Sequence, residues 1–333
     1  MEKYVDIQSP FTGGRVKEVT ATELKEFRKE KYLVHVRYYV CEDTGEQFTT
    51  TAQDTLQFND LYAQYRSKHG IPFPEEIKNI RTGYGLNLSQ ISKILGFGVN
   101  QYAKYESGEV PSESNGKMIA AIKDKNVLLR MLSSSKASFT PSEYERIYSV
   151  IVLNGKITFE KNPLFQIIYK DSSRSILNGY GSKSIPKLFE MVVYIVAKHG
   201  EVFPTKLNKL MFYSDFFNYR ETGVSISGLQ YKALPYGPVP DHYATIYDNT
   251  PGIEKRIVET HDMSGSLLSS LPNRDFELLS ESEKESIDKV VELLRPLSVS
   301  QISEASHQEE AWADNSTSRS YIPYDYAFDL KII

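Results

Sequence analysis

A helix signal that begins at Asn87 is the feature that most constrains the fold of this chain. Leu88, Ile91 and Leu95 are three and four residues apart, so they share one face of a helix. Asn87 can cap that helix, and Gln90 three positions later completes a capping box. The sequence therefore predicts an amphipathic helix that starts at residue 88.

A second helix is predicted after a glycine-containing turn. Gly96 and Gly98 supply the turn, because glycine adopts positive φ at little steric cost. The second helix is expected over residues 99–106, and Ser107-Gly108 ends it. Two helices joined in this way form a helix-turn-helix, whose second helix can enter the major groove of DNA.

The side chains of this second helix are expected to divide into two faces. The residues expected to face inward are Val99, Tyr102 and Tyr105. The residues expected to face outward and to contact bases are Asn100, Gln101 and Lys104. Phosphate contacts are expected from Arg81, Lys93 and Lys117. The alternative is a plain helical hairpin with a solvated polar face.

Charge is distributed unevenly along the chain, whose net charge is -4. Residues 78–136 contain nine basic and four acidic residues, a net charge of +5. Residues 271–333 contain six basic and thirteen acidic residues, a net charge of -7. A basic island in an acidic chain is consistent with a DNA-contacting module joined to a protein-binding module, or with chance variation between solvated surfaces.

Residues 80–108 resemble the helix-turn-helix of the MqsA-type antitoxins, whose hallmark is a glycine-rich turn followed by Val-Asn and then Tyr-Glu-x-Gly. By that match, Asn100 and Lys104 would read operator bases, and the resemblance implies a homodimer on a palindromic operator. Two positions depart from the family. Lys104 stands where the family usually has Arg, whose planar guanidinium discriminates bases better. Asn87-Leu88 stands where the family has Thr-Gln.

The first 66 residues are expected to form short strands and turns, with strands over 31–40 and 46–50. MqsA-type antitoxins often begin with a zinc module of two Cys-x-x-Cys pairs, and Ser9-Pro-Phe-Thr12 and Cys41-Glu-Asp-Thr44 resemble these two knuckles in spacing. Hydroxyls occupy three of the four ligand positions and are poor zinc ligands.

We therefore expect a metal-free remnant of the knuckle fold, with Cys41 as a half-buried structural thiol. The aromatic residues expected to stabilise it are Tyr38, Tyr39 and Phe48. Zinc held by Cys41 and His35 with ligands from elsewhere is the alternative.

The C-terminal part carries ordered motifs at Lys206–Phe216, Gly228–Ala233 and Tyr236–Val239, followed by Ser303–His307 with Trp312. Their order and spacing over residues 185–333 resemble the Panacea domain, also called SocA-like. The resemblance implies a predominantly helical module with minor β structure. In toxin–antitoxin operons this domain belongs to the antitoxin and binds the cognate toxin.

Candidate catalytic side chains also occur in this part: Asp215, Asp241, His242, His307, Glu309 and Glu310. None has a spacing that demands catalysis, and the chain has no phosphate-binding glycine loop, HExxH pair or Gly-x-Ser-x-Gly motif. We therefore expect no enzyme, no cofactor and no metal.

The sequence as a whole predicts an α+β fold that is mainly α. Four segments are expected: a β-rich knuckle module (1–70), a helix-turn-helix domain (71–136), a helical connector (137–184) and the Panacea domain (185–333). One cysteine, no secretion signal and no apolar run of roughly 18 residues favour a cytoplasmic protein without a membrane span.

The predicted function is that of a type II antitoxin, which binds a protein toxin and represses its own operon as a homodimer on operator DNA. The alternative is a stand-alone transcription regulator or proteolytic adaptor whose C-terminal domain binds another protein.

Overall fold

The computed structural model describes residues 2–154, 162–170, 173–260, 263–272 and 275–333. The chain forms two compact units, the first from residues 1–61 and 163–333 and the second from residues 62–162. The predicted division into four segments stays a prediction. Part of the predicted connector, residues 155–161 and 171–172, lies outside the described residues.

The elements of the first unit are β1 (Glu2–Gln8), β2 (Arg15–Phe27), β3 (Glu30–Cys41), β4 (Gln47–Phe48), α8 (Pro163–Tyr169), α9 (Ile185–His199), α10 (Pro204–Thr222), β5 (Tyr231–Leu234), β6 (Gly237–Pro240), α11 (Tyr243–Asn249), β7 (Ile253–Thr260), β8 (Met263–Ser270), α12 (Glu281–Leu294), α13 (Val299–His307), α14 (Glu310–Ser316) and two 3₁₀ turns (Ile176–Asn178 and Tyr324–Asp329). Helix α1 (Thr51–His69) is shared along the chain between the two units. The second unit contains α2 (Pro74–Gly83), α3 (Leu88–Leu95), α4 (Gln101–Glu106), α5 (Glu113–Ala121), α6 (Lys125–Ser134), a 3₁₀ turn (Lys136–Ser138) and α7 (Pro141–Asn154).

An antiparallel sheet in the order β1-β2-β3-β4 opens the first unit. Strands β2 and β3 pair continuously from Val16 opposite Cys41 to Phe27 opposite Glu30. The alternating residues Val34 and Val36 are buried, as the two-residue period of a strand requires. The predicted strands over 31–40 and 46–50 correspond to β3 and β4.

The expectation of strands and turns up to residue 66 is wrong from Thr51 onward, where the chain forms α1. The buried face of this helix includes the polar residues Gln53, Asp60 and Arg66. Because these residues interrupt the apolar stripe, the helical period does not stand out in the sequence.

Helix α10 forms the centre of the first unit, packed against α9, α12 and α13. All residues from Lys206 to Tyr219 are buried, because neighbours cover this helix on every side. Its aromatic side chains fill much of the interior. The Phe216 ring, for example, stacks on Tyr324 with ring centroids 4.2 Å apart.

The N-terminal sheet and α1 are attached to the C-terminal part of the first unit by polar and aromatic contacts. The Arg37 guanidinium donates to the Glu221 carboxylate at 2.8 Å. The Asn59 amide donates to the carbonyl of Thr222 at 2.9 Å. The rings of His35 and Phe328 stack with centroids 3.8 Å apart. The sheet and the C-terminal helices are therefore parts of one folded body.

The second unit is a helical domain around one apolar core, which includes Ile77, Ile91, Leu128 and Ile151. A capping box forms at the start of α7, where the Thr140 amide donates to the Glu143 carboxylate at 2.9 Å and the Glu143 amide donates to the Thr140 hydroxyl at 3.3 Å. The polar stretch 133–138 is part of the folded unit, because α6 runs to Ser134 and a 3₁₀ turn follows at Lys136–Ser138.

With 53% helix and 17% strand, the chain belongs to the predicted α+β class and is mainly α. Among the described helices, none combines the length and the apolar character that a membrane span needs.

Candidate functional site

The first helix of the predicted helix-turn-helix begins and ends as its sequence indicates. Asn87 and Gln90 form reciprocal hydrogen bonds of 2.9 Å at the start of α3. Gly96 ends the helix in the left-handed conformation, with φ of 67°. Glycine suits this position because it has no Cβ to clash there.

The second helix is shorter than predicted and starts later. It begins at Gln101, because Asn100 is in the left-handed region with φ of 67° and precedes the helix as its N-cap residue. Val99 was expected to face inward and is instead 90% exposed. The residues that do anchor the helix are Tyr102 and Tyr105, as predicted, and both are buried.

The hydroxyls of these two tyrosines fix the second helix in the unit. Tyr102 donates to the carbonyl of Ile77 on α2 at 3.0 Å. Tyr105 accepts from the Asn115 amide on α5 at 2.8 Å. Phe97 packs edge-on to Tyr105, with centroids 5.9 Å apart. These contacts hold α4 against α2 and α5 and leave Lys104 on the surface.

Asn100 and Lys104 form the exposed base-reading candidate pair. Both side chains are exposed, and the amide of Lys104 donates to the carbonyl of Asn100 at 3.0 Å, so they lie one turn apart. Gln101 differs, because its side-chain amide donates to the Glu109 carboxylate at 2.8 Å. A base could bind Gln101 only if this hydrogen bond were exchanged.

The basic residues expected to contact phosphate differ in how they are held. Arg81 forms a two-pronged ion pair with Glu106, with Nε at 2.6 Å and Nη2 at 2.9 Å from its carboxylate oxygens. Its third donor bonds the carbonyl of Leu86 at 2.9 Å. Arg81 thus joins α2 to α4. Lys93 lies over the Phe139 ring, and the Lys117 side chain is 71% exposed.

The two knuckle turns have the same backbone pattern. Ser9 and Gly14 close the first turn through a 2.9 Å hydrogen bond, and Cys41 and Glu46 close the second in the same way. The Cys41 thiol is fully buried rather than half-buried as expected, and the Thr12 hydroxyl lies 3.5 Å from its sulfur.

The hydroxyl residues of the two turns, Ser9, Thr12 and Thr44, gather around this sulfur. Hydrogen bonds from Ser9, and then from Thr44 and Thr12, lower the pKa of the Cys41 thiol to about 6. Of the aromatic residues expected to stabilise this region, Tyr39 packs on Phe48 with centroids 5.4 Å apart. The His35 ring lies against Asp60, with Nδ1 3.2 Å from a carboxylate oxygen.

Asp215 lies at the centre of the C-terminal part and is fully buried. Its carboxylate accepts hydrogen bonds from the amides of Ile226 and Ser227 and from the hydroxyls of Ser227 and Tyr231. Burial raises the pKa of this carboxyl. Through these hydrogen bonds, Asp215 on α10 holds the loop that precedes β5. The carboxylate therefore stabilises the fold.

Lys209 is another buried ionisable residue on α10, and no feature of the sequence around it indicated a special role. Its Nζ donates to the carbonyl of Pro238 at 3.1 Å, and burial lowers its pKa to about 7. Gly237 has a φ of 99°, and a Cβ at this position would lie 2.5 Å from the Lys209 side chain, so glycine suits the position on both counts. The lysine thus connects two of the predicted motifs.

Asp241, Glu309 and His307, three of the remaining polar candidates, make contacts within the first unit. Although burial opposes it, hydrogen bonds from Tyr321 and Lys232 lower the pKa of Asp241 to about 2. Glu309 accepts from the backbone amides of Lys331 and Ile332, at 2.9 and 3.2 Å. The His307 ring stacks on Trp312, with centroids 4.0 Å apart.

Residues 207–313 match the family model described as the antitoxin SocA-like, Panacea domain. The predicted resemblance is therefore confirmed for this stretch, from α10 into α14. No curated protein and no solved structure gave a match to the chain. The match supports an antitoxin-type role and favours a non-enzymatic one. The resemblance of the N-terminal half to the MqsA-type antitoxins stays a prediction.

Proposed function

We propose that this chain is an antitoxin with two binding activities. Its Panacea-like segment binds and neutralises a protein toxin, and its second unit binds operator DNA to repress its own operon. The observation that carries the proposal is the match of residues 207–313 with an antitoxin domain. The net charge of -7 over residues 271–333 would complement a basic toxin surface and would speed association more than it would decide affinity.

Toxin binding is tested by co-expressing the full-length chain with the product of a neighbouring gene that is lethal when expressed alone. The full chain is required, because residues such as Arg37 and Asn59 bond to the C-terminal end of α10 within the first unit. We expect restored growth and a complex that co-purifies in fixed stoichiometry. Persistent toxicity beside soluble, folded antitoxin would contradict direct neutralisation.

Tyr236 offers a first substitution on the candidate toxin surface. It is 75% exposed at the turn between β5 and β6, inside the matched segment, and exposed tyrosines are frequent anchors of protein interfaces. We expect Tyr236→Ala to weaken rescue. Tyr4→Ala is the matched control, because Tyr4 is 58% exposed on β1 outside the matched segment. Equal rescue by both variants would remove this turn from the proposed interface.

The proposed DNA surface is built around Asn100 and Lys104. Their exposure, one turn apart on a helix whose tyrosines are fixed in the core, supports base reading by both side chains. Lys93 and Lys117 would contact phosphates. Two copies of the chain would place two such surfaces on half-sites about one helical turn apart.

The DNA proposal is tested by titrating the full-length chain against a fragment of its own promoter and against scrambled DNA. Asn100→Gly removes the side chain and keeps the left-handed backbone, whereas alanine would add strain. We expect Asn100→Gly and Lys104→Ala each to cost about 1–3 kcal/mol of operator preference. Lys125→Ala, which removes a charge from the start of α6, is the control. An unchanged footprint for both test variants would contradict the recognition-helix assignment.

A further inference from the structure

Val99 is an apolar side chain exposed at the edge of the proposed DNA surface. It is 90% exposed, whereas its neighbours Tyr102 and Tyr105 are buried in the core of the unit. An exposed valine adds little to stability, since its methyl groups remain in water in the folded state. Because Val99 directly precedes Asn100, its exposed side chain lies next to a residue that is proposed to contact bases.

The backbone on both sides of Val99 is held in place. The carbonyl of Gly98 accepts from the amide of Gln101 at 3.1 Å, and that of Asn100 accepts from Lys104 at 3.0 Å. Asn100 itself has a φ of 67°, which fixes the direction in which the chain enters α4. Valine is also stiff at χ1, because it is β-branched. The two methyl groups are therefore presented in a defined direction.

The chemistry of the major groove limits what such a group can recognise. Among the base-pair edges, the C5-methyl group of thymine is the apolar feature, and small apolar side chains contact it. Val99 and Asn100 are neighbours with Cα atoms about 3.8 Å apart, which is close to the spacing of stacked base pairs. A side chain at position 99 would thus reach the pair that Asn100 contacts or the next one.

We propose that Val99 is a specificity-determining residue that contacts a thymine methyl group within one base step of the base read by Asn100. This inference rests on the proposed DNA binding. Each half-site would then contain one thymine that the protein recognises through its methyl group and not through a hydrogen bond.

The test is a uracil scan of the promoter fragment, in which each thymine in turn is replaced by uracil and loses only its methyl group. For the unmodified protein, we expect one uracil position per half-site to weaken binding about fourfold, the value of one buried methyl group. For Val99→Ala, binding to thymine DNA should fall by a similar factor, and the loss on uracil substitution should disappear. Because Val99 is exposed, this variant should keep the fold.

Leu153→Ala is the matched control, because Leu153 is 78% exposed on α7 of the same unit, and it should keep the full uracil effect. If the unmodified protein binds the promoter but shows no uracil-sensitive position, or if Val99→Ala retains the sensitivity, the inference is wrong while the proposed DNA binding stands. If the unmodified protein does not prefer its promoter over scrambled DNA, both are wrong.

Discussion

Replacing Lys209 by methionine should remove a specific pH dependence of stability. Burial lowers the pKa of Lys209 from 10.5 to about 7, and its side chain is fully buried. Between these two values the unfolded chain binds one proton more than the folded chain at this position. The free energy of unfolding of the original protein therefore rises with pH through this window, by up to about 1.4 kcal/mol per pH unit.

The two pKa values set the size of the effect. Between pH 7.5 and 9.5, Lys209 should contribute about 2.5 kcal/mol to the rise in the free energy of unfolding. The contribution should be absent from Lys209→Met, and the other groups should cancel in the comparison. At neutral pH the variant should also be more stable by a few kcal/mol, because the cost of burying a charge exceeds the roughly 1 kcal/mol value of the hydrogen bond to Pro238.

The assay is urea unfolding at both pH values, followed by tryptophan fluorescence. Trp312 is the single tryptophan of the chain, and its indole donates to the carbonyl of Leu234 at 2.7 Å, so the signal reports on the unit that contains Lys209. Lys289→Met, on the exposed side of α12, is the control and should keep the pH dependence of the original protein. Identical pH dependence for Lys209→Met and the original protein would refute a neutral buried amine near pH 8.

Two further predictions concern groups that the structure pairs over long sequence distances. Arg81→Ala should destabilise the second unit by about 2–4 kcal/mol, since it leaves the Glu106 carboxylate unpaired, and Glu106→Ala in the same chain should recover part of that loss. In DNA titrations of Arg81→Ala, the slope of binding affinity against salt concentration should stay unchanged, because Arg81 positions α4. If Arg81 instead contacted a phosphate, its loss would lower that slope by about 1. The Cys41 thiolate should appear in ultraviolet absorbance with a midpoint near pH 6 and should be absent from Cys41→Ser. Ser9→Ala should raise this midpoint, because it removes the hydrogen bond that lowers the pKa of the thiol most; a midpoint near 9 in the original protein would contradict the hydroxyl arrangement.

The sequence by itself determined the parts of this protein that depend on neighbouring residues. The capping boxes at Asn87 and Thr140, the turn at Gly96 and the buried pair Tyr102 and Tyr105 follow from residue types at helical spacing. The ordered motifs of the C-terminal part were also readable without a structure, and the family match over 207–313 confirms them. Local hydrogen bonds and helical periods involve residues only a few positions apart, so a short stretch of sequence is enough to predict them.

Tertiary structure decided what depends on distant residues. The conformation of Asn100 and the exposure of Val99 follow from how α4 is anchored, not from the period of its sequence. The sequence suggested Arg81 as a phosphate contact. In the folded chain its guanidinium is paired with Glu106, which is 25 positions away. The N-terminal sheet is bonded to the C-terminal part of the first unit through Arg37 and Glu221, which are 184 positions apart. The partner of a side chain depends on which surfaces come into contact when the chain packs. Residue spacing and secondary-structure propensity within a short stretch of sequence do not determine those contacts.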